Sequence, residues 1–176
     1  MNSLIFLSEQ DFSIQQGKKG KLLCNNLSGI SLVLFFSKQC KHCVSLYPIF
    51  ERLPQHIPGC QFALLNVSTN PSVARMSQET ILPLTHVPFL ILFVNGKPFL
   101  RYNGEKSLNA LANFVSEVLN RIQTQTTKNF TNNSTLVVDD DMEIPAFSVG
   151  LPYNILCEGE TCYLKFGDAY KNQGRN

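Results

Sequence analysis

A pair of cysteines separated by two residues is the part of this sequence best suited to chemistry. Cys40-Lys41-His42-Cys43 directly follows an apolar run of strand length and begins a stretch with helical apolar spacing. A cysteine at a helix start faces unpaired N–H groups and the positive end of the helix dipole, which favour the thiolate. Lys41 and protonated His42 add positive charge and are expected to tune the sulfur. Cys40 is therefore the predicted nucleophile toward a disulfide, and Cys43 the thiol that resolves the mixed disulfide.

The same Cys-x-x-Cys spacing also suits half of a zinc site, which is the alternative. Zinc needs two further ligands. The other cysteine pair, Cys157 and Cys162, has four intervening residues and lies beyond a polar stretch. Redox chemistry is therefore favoured and no metal is expected. The sequence also lacks a glycine-rich phosphate loop, so neither a nucleotide nor a flavin cofactor is expected.

Apolar patterning predicts the elements that hold the cysteine pair. Strands are expected at Leu4–Leu7, Lys21–Cys24, Ser31–Phe36, Gln61–Val67, Phe89–Val94 and Pro98–Tyr102, the last two joined by a hairpin turn at Asn95-Gly96. Helices are expected at residues 40–55, 70–78 and 108–122. The order of these elements predicts an α/β domain with a mixed sheet and helices on both faces.

The charge distribution predicts one domain with an appended tail. Residues 1–122 carry 11 basic and 6 acidic side chains, whereas residues 123–176 carry 4 and 7. Residues 123–143 are interpreted as a polar and acidic linker, and residues 144–176 as a C-terminal extension. The opposite charges favour a tail that docks on its own domain, and the alternative is a tail that mediates oligomerisation.

Composition excludes several classes of protein. A net charge of +2 argues against a nucleic-acid partner. The longest apolar-leaning run, Ile81–Val94, is interrupted by Pro83 and Pro88 and is too short to span a membrane. The N-terminus lacks the basic start and apolar core of a signal peptide, so we expect a cytoplasmic protein, where a cysteine pair is more often catalytic than structural.

The segment Leu32–Cys43 resembles the active-site strand and helix start of thioredoxins and protein disulfide isomerases. Further landmarks of that family follow in order: Pro48 eight residues after Cys40, the strand Phe62–Val67 with Asn70-Pro71 behind it, Val87-Pro88 at the position of the cis-proline dipeptide, and Gly104 before the last helix. The resemblance covers residues 20–122. The Asn-rich, abbreviated chain also resembles thioredoxin-like proteins of large DNA viruses, which would place it in host cytoplasm or virion.

This resemblance implies a thioredoxin fold and thiol–disulfide exchange with protein substrates, of the oxidoreductase or isomerase kind. It implies a substrate platform at Val87 and Pro88, while the electron donor or acceptor stays unidentified. The alternative is a binding or structural module of the same fold whose cysteine pair is idle.

Several positions depart from the family pattern, among them the Lys41-His42 dipeptide, where thioredoxins have Gly-Pro and the isomerases Gly-His. Gln39 stands where thioredoxins have Trp, and Leu34 and Leu64 stand where they have a buried Asp and Lys. We expect slower release of mixed disulfides, because the Asp is credited with deprotonating the resolving cysteine. We also expect a more oxidising couple, because cationic neighbours stabilise the reduced form.

The remaining cysteines and His86 have open roles. Cys24 and Cys60 are predicted to be buried and inert. Cys157 and Cys162 are predicted to face each other across a small hairpin, as free or labile thiols, as a second redox pair that shuttles electrons to the first, or as a structural disulfide. His86 is expected either to approach and tune Cys40 or to face solvent.

Overall fold

The computed structural model describes residues 3–128, 157–158 and 161–163. Its main sheet has five strands in the order β1-β5-β4-β7-β8. These strands are β1 (Ile5–Phe6), β4 (Ile30–Phe36), β5 (Gln61–Asn66), β7 (Phe89–Val94) and β8 (Lys97–Tyr102). The predicted linker from residue 129 onward and most of the predicted C-terminal extension lie outside the described residues.

The remaining elements surround this sheet. The helices are a short 3-10 turn (Glu9–Asp11), α1 (Lys41–His56), α2 (Pro71–Ser77) and α3 (Leu108–Lys128). A two-stranded sheet pairs β2 (Phe12–Gly17) with β3 (Gly20–Asn25). A separate three-stranded sheet has the strand order β6-β10-β9. Its strands are β6 (His86–Val87), β9 (Cys157–Glu158) and β10 (Thr161–Tyr163). Among the described residues, none of the helices is long and apolar enough to cross a membrane.

Strand β4 forms the centre of the fold. It runs parallel to β5 and antiparallel to β7, so the sheet is mixed. All seven residues of β4 are buried, as expected for a continuous apolar run covered on both faces. Helix α1 packs against β5 and α3, and α2 packs against the β2–β3 hairpin. The predicted α/β architecture, a mixed sheet with flanking helices, is confirmed.

The turn between β7 and β8 forms at the Asn95-Gly96 dipeptide. Both residues have positive φ, 50° and 77°, which Asn and Gly tolerate best. Gly96 is also required by space, because a Cβ there would lie 2.1 Å from the Asn25 carbonyl oxygen. The Gly96 carbonyl accepts a hydrogen bond of 2.8 Å from the Asn25 N–H. The turn thereby ties the edge hairpin to β3.

Two elements differ from the sequence-based expectation. Strand β2 was not among the strands expected from the sequence, but it pairs with β3 from Phe12↔Asn25 to Gly17↔Gly20. Most of its side chains are polar or partly exposed, so backbone pairing rather than apolar alternation defines it. Helix α3 continues to Lys128 instead of ending at Ile122, because residues 123–128 contain neither Gly nor Pro to stop it.

Candidate active site

Cys40 is the N-cap residue of α1. Its backbone is extended, with φ −87° and ψ 114°, and its sulfur accepts a hydrogen bond from the Cys43 N–H at 3.4 Å. The Cys40 carbonyl accepts from the Val44 N–H at 3.0 Å, which starts the helix. One of the N–H groups left unpaired at the helix start is therefore directed at the Cys40 sulfur, where it stabilises negative charge.

The predicted substrate platform lies against this sulfur. The Cys40 thiol donates to the Val87 carbonyl oxygen, with 3.8 Å between sulfur and oxygen, across 47 residues of sequence. The Val87–Pro88 peptide bond is cis. Val87 ends β6, and Phe89 begins β7, which pairs with β4. The fold thus brings Cys40 and the Val87-Pro88 dipeptide together because β4 and β7 are neighbours in the sheet.

Two grooves flank the first turns of α1. A largely apolar groove of about 310 Å³ is lined by Cys43, Val44, Tyr47, Phe6, Phe36, Ser37 and Lys38. Phe6 and Val44 are 69% and 58% exposed on its rim. A second groove of about 350 Å³ is lined by His42, Ser45, Leu46, Ile49 and Lys106. Lys41 is exposed and His42 is half-buried, so the predicted tuning residues lie at the surface beside Cys40.

His86 is buried, at 7% exposure, so its predicted position in solvent is wrong. Its Nδ1 lies 2.9 Å from the Thr85 hydroxyl and its Nε2 lies 3.1 Å from the Arg101 guanidinium. Its ring packs on Phe89 at 4.9 Å between centroids. Burial first, and then the charges of Arg101 and Lys106, lower the pKa of His86 to about 4. His86 is therefore a neutral side chain near neutral pH, and it supports β6 through these contacts.

The family model for thioredoxin matches residues 20–117. This match spans more than half of the chain and includes the Cys-x-x-Cys segment and the Val87-Pro88 dipeptide. The chain belongs to the thioredoxin family.

Relatives of this thioredoxin-family protein include two viral proteins. It is 34% identical over 125 residues to uncharacterized protein 196R of Invertebrate iridescent virus 6, which covers 67% of this chain and 72% of that protein. It is 30% identical over 171 residues to uncharacterized protein 020R of Invertebrate iridescent virus 3, covering 95% and 96%. Thioredoxin of Chlamydia pneumoniae is 31% identical over 90 residues, covering 51% and 83%. The resemblance to thioredoxin-like proteins of large DNA viruses, noted from the sequence, is confirmed by the two iridescent virus relatives.

Leu34 and Leu64, at the family's Asp and Lys positions, are neighbours in this structure. They are register partners in the β4–β5 pair. Both are fully buried, at 0% and 1% exposure. A charge at only one of these positions would be buried without a partner, which is costly, so the two replacements are consistent with each other. An apolar contact stands where thioredoxins carry an ion pair.

Gln39 has a polar role that the sequence did not reveal. Its side-chain oxygen accepts hydrogen bonds from the hydroxyls of Ser37 at 3.0 Å and Ser68 at 3.1 Å. The Ser37 carbonyl accepts from the Cys40 N–H at 3.2 Å. Gln39 thus connects the loop before Cys40 to the segment after β5. Ser68 is distant in sequence, so no local pattern indicated this contact.

The other two cysteines with described side chains are buried, as predicted. Burial raises the pKa of Cys24, against a smaller lowering by Lys97, and raises the pKa of Cys60 to about 12. The Cys60 thiol donates to the Gln61 carbonyl at 3.3 Å. Within the described part of the chain, no group of three or more His, Cys, Asp or Glu side chains is arranged to hold a metal ion.

Proposed function

We propose that this protein is a thiol–disulfide oxidoreductase that exchanges disulfides with protein substrates through Cys40 and Cys43. Membership of the thioredoxin family supports oxidoreductase chemistry in general. The observation that carries the specific proposal is the position of the Cys40 sulfur, which accepts the Cys43 N–H at 3.4 Å and lies 3.8 Å from the Val87 carbonyl oxygen. A nucleophile stabilised at a helix start is what disulfide exchange requires.

The exchange proceeds in two displacements at sulfur. The Cys40 thiolate attacks one sulfur of the substrate disulfide, a Cys40–substrate bond forms, and the other substrate sulfur leaves as a thiolate that takes up a proton. The Cys43 thiolate then attacks the Cys40 sulfur, the Cys40–Cys43 bond forms, and the second substrate sulfur leaves. Two electrons pass from the protein dithiol to the substrate, and the reverse sequence oxidises a substrate dithiol. The Val87-Pro88 segment is proposed to align an extended substrate during both steps.

The surroundings of the pair support a couple more oxidising than thioredoxin and closer to an isomerase. Lys41 and His42 follow the nucleophile in sequence, and positive charge beside Cys40 stabilises the reduced form. The apolar Leu34–Leu64 contact supplies no carboxylate to help deprotonate Cys43. We therefore propose that the mixed disulfide is released more slowly than in thioredoxins.

Reduction of insulin disulfides by the purified full chain, with dithiothreitol as electron source, tests this proposal. Cys40→Ser should reduce the rate by about 100-fold or more, to the background of the reductant alone, because Ser cannot form the mixed disulfide. Cys60→Ser is the matched control, since Cys60 is equally buried but lies outside the site, and its rate should stay within about twofold of the wild type.

The outcome that contradicts the proposal is wild-type activity no higher than that of Cys40→Ser. Equal and negligible activity in both proteins would favour the idle binding module instead. Circular dichroism of each variant establishes that a loss of activity is not a loss of fold.

A further inference from the structure

A short strand from the C-terminal region pairs with the substrate platform. β10 (Thr161–Tyr163) lies antiparallel to β6 (His86–Val87), with Cys162 as the register partner of Val87 and Tyr163 as that of His86. Val87 is the residue whose carbonyl oxygen lies 3.8 Å from the Cys40 sulfur. The chain therefore places one of its own cysteines opposite the residue that contacts the nucleophile.

The second cysteine of the tail lies one strand further out. β9 pairs antiparallel with β10, and Cys157 is the register partner of Cys162. Directly opposed residues in an antiparallel pair have Cα atoms about 4.5–5.5 Å apart, which is within the 4.4–6.8 Å range typical of disulfides. The backbone of this hairpin is thus compatible with a Cys157–Cys162 disulfide. Across the sheet, Cys162 is one strand from β6 and Cys157 is two strands away.

Burial of the nucleophile favours a partner supplied by the chain itself. Cys40 is only 5% exposed, which restricts the approach of a bulky external protein disulfide. The β6–β10 pairing instead holds the backbone of Cys162 opposite Val87. An internal partner also benefits from a high effective concentration, because the exchange is intramolecular.

We propose that the Cys157–Cys162 hairpin is an internal exchange partner of the Cys40–Cys43 pair, with Cys162 as the residue that Cys40 attacks. The proposal rests on the function proposed above, since it uses the same nucleophile. It adds a second redox pair to the protein and a defined order of bonds between the two pairs.

The relay balances without an external oxidant or reductant. The Cys40 thiolate attacks Cys162 in the Cys157–Cys162 disulfide, a Cys40–Cys162 bond forms, and Cys157 leaves as a thiolate. Cys43 then attacks Cys40, a Cys40–Cys43 bond forms, and Cys162 leaves as a thiolate. Two electrons move from the Cys40–Cys43 dithiol to the hairpin. The protons lost by Cys40 and Cys43 are balanced by those gained at Cys157 and Cys162, and the reverse order returns both.

Two double variants of the full chain test which tail cysteine reaches Cys40. Cys43→Ser with Cys157→Ser leaves Cys162 as the tail thiol, and Cys43→Ser with Cys162→Ser leaves Cys157. Each is treated at low micromolar concentration with one equivalent of oxidised glutathione. Cys40 then forms a mixed disulfide with glutathione, and a tail thiol that reaches Cys40 displaces glutathione and forms a protein disulfide.

The expected result is an intramolecular Cys40–Cys162 disulfide in the first variant, at a yield at least tenfold above that of Cys40–Cys157 in the second. Non-reducing mass spectrometry maps the bond, and gel filtration shows whether it lies within one chain. Equal yields, glutathione retained on Cys40 in both variants, or a bond between two chains would overturn the proposal. Insulin reduction by the wild type is read separately, so that failure of the relay is distinguished from failure of the proposed function.

Discussion

Cys40 and Cys60 are equally hidden from solvent, at 5% and 4% exposure, yet they occupy different places in the fold. The Cys40 sulfur accepts a backbone N–H at the start of α1. The Cys60 thiol donates to a carbonyl, and burial raises the pKa of Cys60 to about 12. Cys24, on β3, resembles Cys60 because burial raises its pKa as well. Burial alone therefore does not distinguish these thiols. Cys40 differs because it lies at the start of α1 and beside the Val87-Pro88 segment.

The largest consequence should be a difference in reaction rate with a small disulfide. At pH 7 and in the folded protein, Cys40 should react at least about 1,000 times faster than Cys60, because a protonated buried thiol reacts only when the structure opens. Mass spectrometry of peptides after timed exposure to dipyridyl disulfide measures each rate. In denaturant the rates should converge. Equal rates for Cys40 and Cys60 in the folded protein would break the comparison.

Burial raises the pKa of a thiol but lowers the pKa of a histidine, because in each case it disfavours the charged form. His86 tests the second effect. Its pKa is about 4 when folded and 6.5 ordinarily, so between these values the unfolded chain binds more protons. The free energy of unfolding should therefore decrease by on the order of 2–3 kcal/mol as the pH falls from 6.5 toward 4. Denaturant unfolding at several pH values measures the change. His86→Gln, which keeps hydrogen bonding but does not titrate, should show a weaker pH slope; an unchanged slope contradicts the assignment.

The N–H donated to Cys40 can be removed while the chain length is kept. Cys43→Ala and Cys43→Pro both delete the proposed resolving thiol, but only proline lacks the N–H, and proline is tolerated in the first helical turn. Because a hydrogen bond to a charged group contributes about 1.5–3 kcal/mol, Cys40 in Cys43→Pro should react at least about tenfold more slowly than in Cys43→Ala. Dipyridyl disulfide kinetics at pH 7 measure both, with circular dichroism as the control for folding. Identical rates would show that this N–H does not activate Cys40.

The smallest expected effect concerns charge at Lys41. The midpoint potential of the Cys40–Cys43 couple should lie above thioredoxin's value of about −270 mV. Lys41→Gln should lower it by about 10–20 mV, since an exposed charge contributes less than 1 kcal/mol and 30 mV corresponds to about 1.4 kcal/mol. Equilibration with glutathione buffers measures both, and Lys19→Gln, in the exposed β2–β3 turn, is the control. A wild-type value at or below −270 mV contradicts the prediction.

Local patterns were sufficient to predict much of the fold. The apolar run of β4, the helix beginning after Cys40 and the turn at Asn95-Gly96 each depend on neighbours in sequence, and each was predicted within a few residues. The fold class followed from their order. The position of Val87-Pro88 was inferred from a family resemblance, since spacing alone does not bring residues 47 apart into contact.

Contacts between distant segments could not be predicted in this way. His86 is buried because Phe89 and Arg101 pack and bond against it. Gln39 is held by Ser68 across the end of the sheet. Strand β2 exists because β3 pairs with it, and its own side chains are too polar to indicate a strand. In each case the decisive partner lies in another element.

The most direct test of the central claim is the site of the covalent intermediate. Cys43→Ser, with both tail cysteines also replaced by serine so that neither can displace the substrate from Cys40, should stop exchange after the first displacement. Mixing this full-length variant with insulin should therefore trap a mixed disulfide. Peptide mapping under non-reducing conditions should place the bond at Cys40 and not at Cys24 or Cys60. A trapped bond at either buried cysteine, or no trapped species while the wild type reduces insulin, would contradict the assignment of Cys40 as the nucleophile.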